Sequence, residues 1–93
     1  MNSKPGSLEL NVRKPAQKNL RRASRNERER LIKALEEMQQ NPFTGDVVRL
    51  ANQPTAFRRR VGDWRIFFDV YPERRLVEVR FIERRTTTTY RVH

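Results

Sequence analysis

The chain has 93 residues, 35% of them hydrophobic, no cysteine and a formal net charge of +10. That length holds one domain with a single modest core, and the lack of cysteine excludes disulfides and thiolate metal sites, which suits a reducing cytoplasm. The charge points to a polyanionic partner, and with neither an apolar run of about 18 residues nor a signal-peptide core, the chain is expected to be soluble, unprocessed and without a membrane segment.

All but four of the 21 basic residues are arginine; the exceptions are Lys4, Lys14, Lys18 and Lys33. Planar guanidinium groups suit bidentate contacts to phosphate better than lysine does. Residues 1–7, with Lys4, Pro5, Gly6 and two serines, read as a flexible tail, which leaves a single domain over 8–93. Leu8 to Val12 alternates strictly and predicts a first strand. Pro15 suits a first helical turn, where its missing N–H costs nothing, and a helix is expected over 16–23 with Leu20 and Ala23 facing inward. Ser24 and Glu27 have the spacing of a capping box and restart a second helix. Leu31, Leu35 and Met38 recur there at helical spacing, with Ile32 and Ala34 widening the apolar stripe. Pro42 ends that helix by forcing the preceding residue out of the α region. Thr44-Gly45-Asp46 reads as a turn, Val47 to Leu50 as a strand or part of a loop, and residues 51–55 as a loop.

Phe57 to Ile82 reads as two consecutive hairpins. Gly62 and Asp63 make a two-residue turn of type II′, which sets Val61 opposite Trp64 and Arg60 opposite Arg65. Phe57, Val61, Trp64, Ile66, Phe68 and Val70 then share the core face. A second turn centred on Glu73-Arg74 pairs Val70 with Val77, Phe68 with Val79 and Ile66 with Phe81; in that region a slip would bury Glu78 and Arg80. The same register sets Arg80 beside Phe67, Ile82 beside Arg65, and Arg84 just beyond. Arg58, Arg60, Arg65, Arg80 and Arg84 are thus expected together on the polar face. Like charges placed directly opposite destabilise a sheet, so the cluster suggests an external anion. The predicted architecture is α+β, in the order β-α-α-β-β-β, with a mostly antiparallel sheet and two helices on one face. Residues 86–89 favour extended structure and lead to Tyr90.

Most catalytic constellations are missing from this sequence. No glycine-rich phosphate loop exists, and one histidine without cysteine leaves no zinc site of those ligands; no metal or cofactor is expected. Glu36, Glu37 and Asp46 read as solvated helix and turn residues rather than an acid–base pair. What remains is the arginine cluster with one phenol, Tyr90, near it. Guanidinium groups stabilise charge on phosphate oxygens, and a tyrosine stacks on a base or offers a proton. That set suffices for RNA transesterification, with the substrate's own 2′-OH as nucleophile.

Several pieces of the chain, in order, resemble a known family: Leu35 to Pro42, then GDVVRL, FRRRVGDWRIFFDV and VEVRFIERR, then a terminal Tyr. Over residues 8–91 they look like the RelE/ParE toxin superfamily of prokaryotic toxin–antitoxin modules, whose fold has the element order given above. The RelE branch of the resemblance implies a ribosome-dependent endoribonuclease that cleaves mRNA in the A site, touching rRNA there. By position it implies catalytic roles for Arg65, Arg84 (or Arg85) and Tyr90, with Arg58 and Arg60 orienting phosphate; Arg80, from the strand register, and Arg85 are expected to bind RNA phosphate with them. Family members often carry lysine in the pair occupied here by Arg58 and Arg60. A guanidinium, with a pKa above about 12, is a poor general base, so proton transfer would fall to Tyr90 or to the terminal His93. The resemblance also implies a cognate antitoxin with an acidic or amphipathic segment, a toxin–antitoxin hetero-oligomer and a cytoplasmic location. The alternative is a ParE-like inhibitor of DNA gyrase or a catalytically silent binding protein of the same fold.

Overall fold

The computed structural model describes residues 7–85. Strand β1 (Glu9–Val12) leads into helices α1 (Lys14–Arg22) and α2 (Arg25–Gln40). Four more strands follow: β2 (Asp46–Arg49), β3 (Phe57–Val61), β4 (Trp64–Tyr71) and β5 (Leu76–Arg84). They form one sheet in the order β1-β5-β4-β3-β2, parallel between β1 and β5 and antiparallel elsewhere. The α+β arrangement is the expected one, with an additional strand. The piece after Gly45, readable as strand or loop, is the edge strand β2; Asp-Val-Val-Arg is too short to show an alternation. Ser7, counted with the tail from sequence, is buried, and its carbonyl accepts from Arg75 Nη2 at 3.1 Å.

The two helices are separated by a tight break at Ala23 and Ser24. Helix α1 begins at Lys14 rather than Ala16, with Pro15 in its first turn as expected. Ser24 and Glu27 close the capping box: the Glu27 N–H donates to Ser24 Oγ at 3.2 Å, and the Ser24 N–H donates to Glu27 Oε1 at 3.1 Å. The carbonyls left over at the end of α1 are collected by Arg28, whose guanidinium donates to the carbonyls of Leu20, Arg21 and Ala23. Leu31, Ala34, Leu35 and Met38 are buried, whereas Ile32 is 39% exposed and lies outside the stripe assigned to it. One step of about 100° from Leu31 carries Ile32 past the edge of the sheet. The helix stops at Gln40, just before Pro42.

The helices cover one face of the sheet. Ala16, Ala23, Leu31, Ala34, Leu35 and Met38 pack against Trp64, Ile66, Phe68, Val77, Val79 and Ile82. Phe68, Ile66 and Ile82 are fully buried, each contributing roughly 1.5–3 kcal/mol relative to an exposed position. Gly62 alone takes a positive φ (59°) in the β3–β4 turn, as a type II′ turn requires. The β4–β5 turn spans Pro72–Arg74 and closes on Arg75 in the left-handed region.

The β4–β5 register departs from expectation halfway along. Val70 stands opposite Val77 and Phe68 opposite Val79, as predicted. A bulge then leaves Arg80 without an opposite residue, so Phe67 faces Phe81, Ile66 faces Ile82, Arg65 faces Glu83 and Trp64 faces Arg84. One inserted residue exchanges the two faces of everything beyond it. The pairing of Ile66 with Phe81 and of Arg65 with Ile82 is therefore corrected. Without the bulge, Glu83 would lie under the helices beside Glu27; with it, Ile82 enters the core and Arg84 meets Glu27.

Candidate functional site

The sheet face turned away from the helices is built from cross-strand rows. Val48, Arg58, Phe67 and Phe81 form one, and Asp46, Arg60, Arg65 and Glu83 the next. Two arginines stand side by side in the second row, as the hairpin register requires, but a carboxylate sits at either end. Asp46 is engaged: Arg60 Nε and Nη2 both lie 2.9 Å from its Oδ2. The Glu83 carboxylate makes no hydrogen bond or ion pair among the described residues, although it faces Arg65.

The five-arginine cluster read from sequence is thus divided by the structure. Arg58, Arg60 and Arg65 share the open face. Arg80 occupies the bulge and acts as a strut, with Nη1 3.7 Å from Asp69 Oδ2 and 3.4 Å from the Pro54 carbonyl. Arg84 is on the helix side, its Nη2 3.6 Å from Glu27 Oε2, because the bulge has reversed its face. The backbone N–H of Arg85 donates to the Asp63 carbonyl at 2.7 Å and extends the hairpin ladder. Tyr90 and His93 lie outside the described residues.

Arg58 and Arg65 are the uncommitted pair. Both are half-buried, and the Nε of each is sealed from water without an acceptor. Neither side chain makes an ion pair or hydrogen bond among the described residues. A buried donor left unsatisfied costs about 1–3 kcal/mol, more when charged, and such groups call for an explanation. Arg59 Nε, on the core side, is sealed in the same way, so what sets Arg58 and Arg65 apart is their Nη groups, which are not sealed and have no acceptor among the described residues; these are the donors an anion on this face meets.

Beside these arginines lies a hollow of about 290 Å³ lined by Gln53, Pro54, Thr55, Phe67, Phe81 and Glu83. One wall is the loop between β2 and β3. The Leu50 N–H donates to the Ala56 carbonyl at 2.8 Å, the Ala56 N–H donates to Asp69 Oδ1 at 2.7 Å, and the Arg80 contact to Pro54 ties its middle. Phe67 and Phe81, a cross-strand pair, also line it, and the Arg80 guanidinium lies over the Phe81 ring, 6.0 Å from its centroid.

The sequence reading assigned no role to Arg59, which anchors this face from behind. It lies on the core side between Phe57 and Val61 and is 8% exposed. Its Nη2 donates to Glu37 Oε1 at 2.7 Å and its Nη1 to the Ala34 carbonyl at 3.3 Å. Gly45 (φ 86°) makes room for it, since a Cβ there would stand 2.9 Å from the guanidinium. The signal was present in the strand parity, where 57, 59 and 61 fall on one face. The Arg59 hydrogen bond, and then its charge, hold the Glu37 carboxyl below the ordinary range. The Glu27 carboxyl is lowered too, first by the Ser24 backbone N–H and hydroxyl, with a smaller part from Arg84. The Trp64 indole N–H adds to this without reaching hydrogen-bond geometry.

No protein-family model and no curated protein sequence matches the chain. Solved structures do match, and they give it the fold of the RelE toxins. RelE in the archaeal RelE–RelB complex from Pyrococcus horikoshii superposes with a TM-score of 0.75 at 17% identity, over 87% of this chain and 98% of that one. Isolated RelE toxin from E. coli gives 0.73 at 22% identity, over 86% of each chain. A RelB–RelE antitoxin–toxin complex from Methanococcus jannaschii gives 0.67 at 21%, over 89% and 99%.

Proposed function

We propose that this chain is the toxin of a toxin–antitoxin pair and acts as a ribosome-dependent endoribonuclease on mRNA. The observation that carries the reading is the Arg58–Arg65 pair, two guanidinium groups on the open face of a RelE fold whose Nη donors have no acceptor among the described residues. In the proposed reaction the 2′-OH of one nucleotide attacks the adjacent phosphorus and the 5′-oxygen of the next departs. The products are a 2′,3′-cyclic phosphate and a 5′-OH. Arg58 and Arg65 hold the non-bridging oxygens and stabilise the charge that builds on them. Arg60 joins them when RNA phosphate displaces Asp46, and Arg85 lies at the end of the same ladder. Tyr90 carries a proton or stacks on a base, with His93 as the other terminal group able to carry protons. Arg84 acts from the helix side through its contact with Glu27.

An antitoxin with an acidic segment fits the same face. Neutralising the arginines would relieve their mutual repulsion and stabilise the fold on binding. The described part of the chain has no helix long and apolar enough to cross a membrane.

Inducing the chain alone should arrest translation first, with new mRNA 5′ ends phased to codons on ribosomes and cyclic phosphate at the upstream fragment. Loss of DNA supercoiling before any mRNA break would instead favour a gyrase inhibitor. That second reading draws on the Asp46 and Glu27 contacts, which occupy Arg60 and Arg84 and leave fewer cations for chemistry.

A further inference from the structure

Glu83 is out of place on a face that binds phosphate. A carboxylate there repels the backbone, it stands opposite Arg65, and yet it has no ion-pair partner among the described residues. It also lines the 290 Å³ hollow together with Phe67 and Phe81, the second of which carries the Arg80 guanidinium over its ring, 6.0 Å from the centroid. That volume lies at the small end of ligand sites and suits one ring system rather than a longer ligand. Aromatic side chains in RNA-binding proteins take unstacked bases, which are then read by hydrogen bonds along their Watson–Crick edge. The wall opposite is held by Asp69 and Arg80, so the hollow is preformed and does not depend on a partner to shape it.

We infer that this hollow receives a guanine of the bound single-stranded RNA and that Glu83 reads it. The assignment rests on the proposal that the open face binds RNA, and it adds sequence selectivity to it. A carboxylate offers two acceptor oxygens and no donor. Guanine presents two adjacent donors, N1–H and the exocyclic N2–H, which match both oxygens. Adenine and cytosine each set an amino group beside a ring acceptor that faces the carboxylate unfavourably, and uracil flanks its single N–H with two carbonyls. Arg65 in the same row, and Arg58 one row away beside Phe67, hold the phosphates next to that base.

The test is binding of four ribotrinucleotides, UGU, UAU, UCU and UUU, to the full chain at low salt, followed by calorimetry or fluorescence anisotropy. UGU should bind about tenfold more tightly than the others, the scale of a good bidentate base contact. Glu83→Gln should remove that preference while the melting temperature stays unchanged, and Arg65→Ala should weaken all four together. Equal affinities, a preference that survives Glu83→Gln, or no binding at millimolar concentration would overturn the assignment. Cleavage of ribosome-bound mRNA is read separately. Cleavage without guanine preference sinks this pocket alone, whereas guanine preference without cleavage sinks the nuclease reading and leaves the pocket.

Discussion

Glu27, in the first turn of α2, meets Arg84, the last residue of β5, at 3.6 Å, and the contact exists because one extra residue, Arg80, bulges out of the sheet. The bulge turns Arg84 toward the helices and Glu83 away from them. A single insertion thereby prevents two carboxylates from sharing the helix side and places one of them among the arginines of the open face. Glu27 already closes the capping box, so the same carboxylate ties the start of α2 to the end of the sheet.

Folding lowers the Glu27 pKa below its ordinary 4.5. The stabilisation it contributes is complete above that pH and disappears as the pH falls through the folded value. Glu27→Gln should therefore be less stable than the parent near pH 7, by a gap that narrows at an acid pH below 4.5, as the pH falls through the lowered folded value. Urea midpoints at the two pH values check this; a gap that persists in acid would show that the side chain acts through shape rather than charge.

The Arg59–Glu37 pair is asymmetric, with side chains 10% and 40% exposed. Glu37→Ala leaves the nearly buried Arg59 guanidinium with only the Ala34 carbonyl and should be the more destabilising of two changes. Arg59→Met leaves a carboxylate that can turn to water and keeps most of the packing, so it should cost less, about 1–2 kcal/mol. Equilibrium denaturation of the two variants gives the order. The reverse order would mean that Arg59 contributes mainly by packing against Gly45.

Arg65→Ala opens no core cavity and removes a charge that faces Arg60. Stability should hold or rise slightly, while cleavage of ribosome-bound mRNA should fall by about 100-fold or more, as for loss of one transition-state donor. Arg84→Ala should behave differently, with a lower melting temperature from the lost Glu27 contact. Intact cleavage in Arg65→Ala would reduce the open face to a docking surface.

Asp46 holds Arg60, and on the proposed function it competes with RNA phosphate for that guanidinium. An exposed pair of this kind is worth about 0.2–1 kcal/mol, so Asp46→Asn should barely change the melting temperature. It should tighten binding of single-stranded RNA a few-fold at low salt, with a steeper salt dependence. An unchanged affinity would mean that Arg60 never reaches the phosphates.

Gly62→Val should damage folding more than activity. It forces a branched residue to φ 59°, at a cost of about 1 kcal/mol or more, and its Cβ would stand 3.1 Å from Arg30 Nη2. The melting curve tests it; lost cleavage with an unchanged melting temperature would place Gly62 at the substrate instead.

Much of this architecture is local and so was legible in the chain. The capping box at Ser24, the stripe of Leu31, Leu35 and Met38, the stop before Pro42 and the turn at Gly62 each depend on residues within a few positions of one another. The alternation through β3 and β4 identified Trp64, Ile66 and Phe68 as core, and Arg58, Arg60 and Arg65 as sharing the other face, because side-chain parity in a strand is fixed by backbone geometry.

The tertiary structure decided where that parity breaks. Nothing within reach of Arg80 announces a bulge; it follows from distant demands, the need to bury Ile82 under the helices and to present Arg84 rather than Glu83 to Glu27. The partners of the arginines were hidden for the same reason. Asp46 reaches Arg60 only once β2 pairs with β3, and Glu37 reaches Arg59 only once α2 lies across the sheet. Local sequence sets which residues share a face, but charge pairing between elements depends on distances that exist only when the chain has closed on itself.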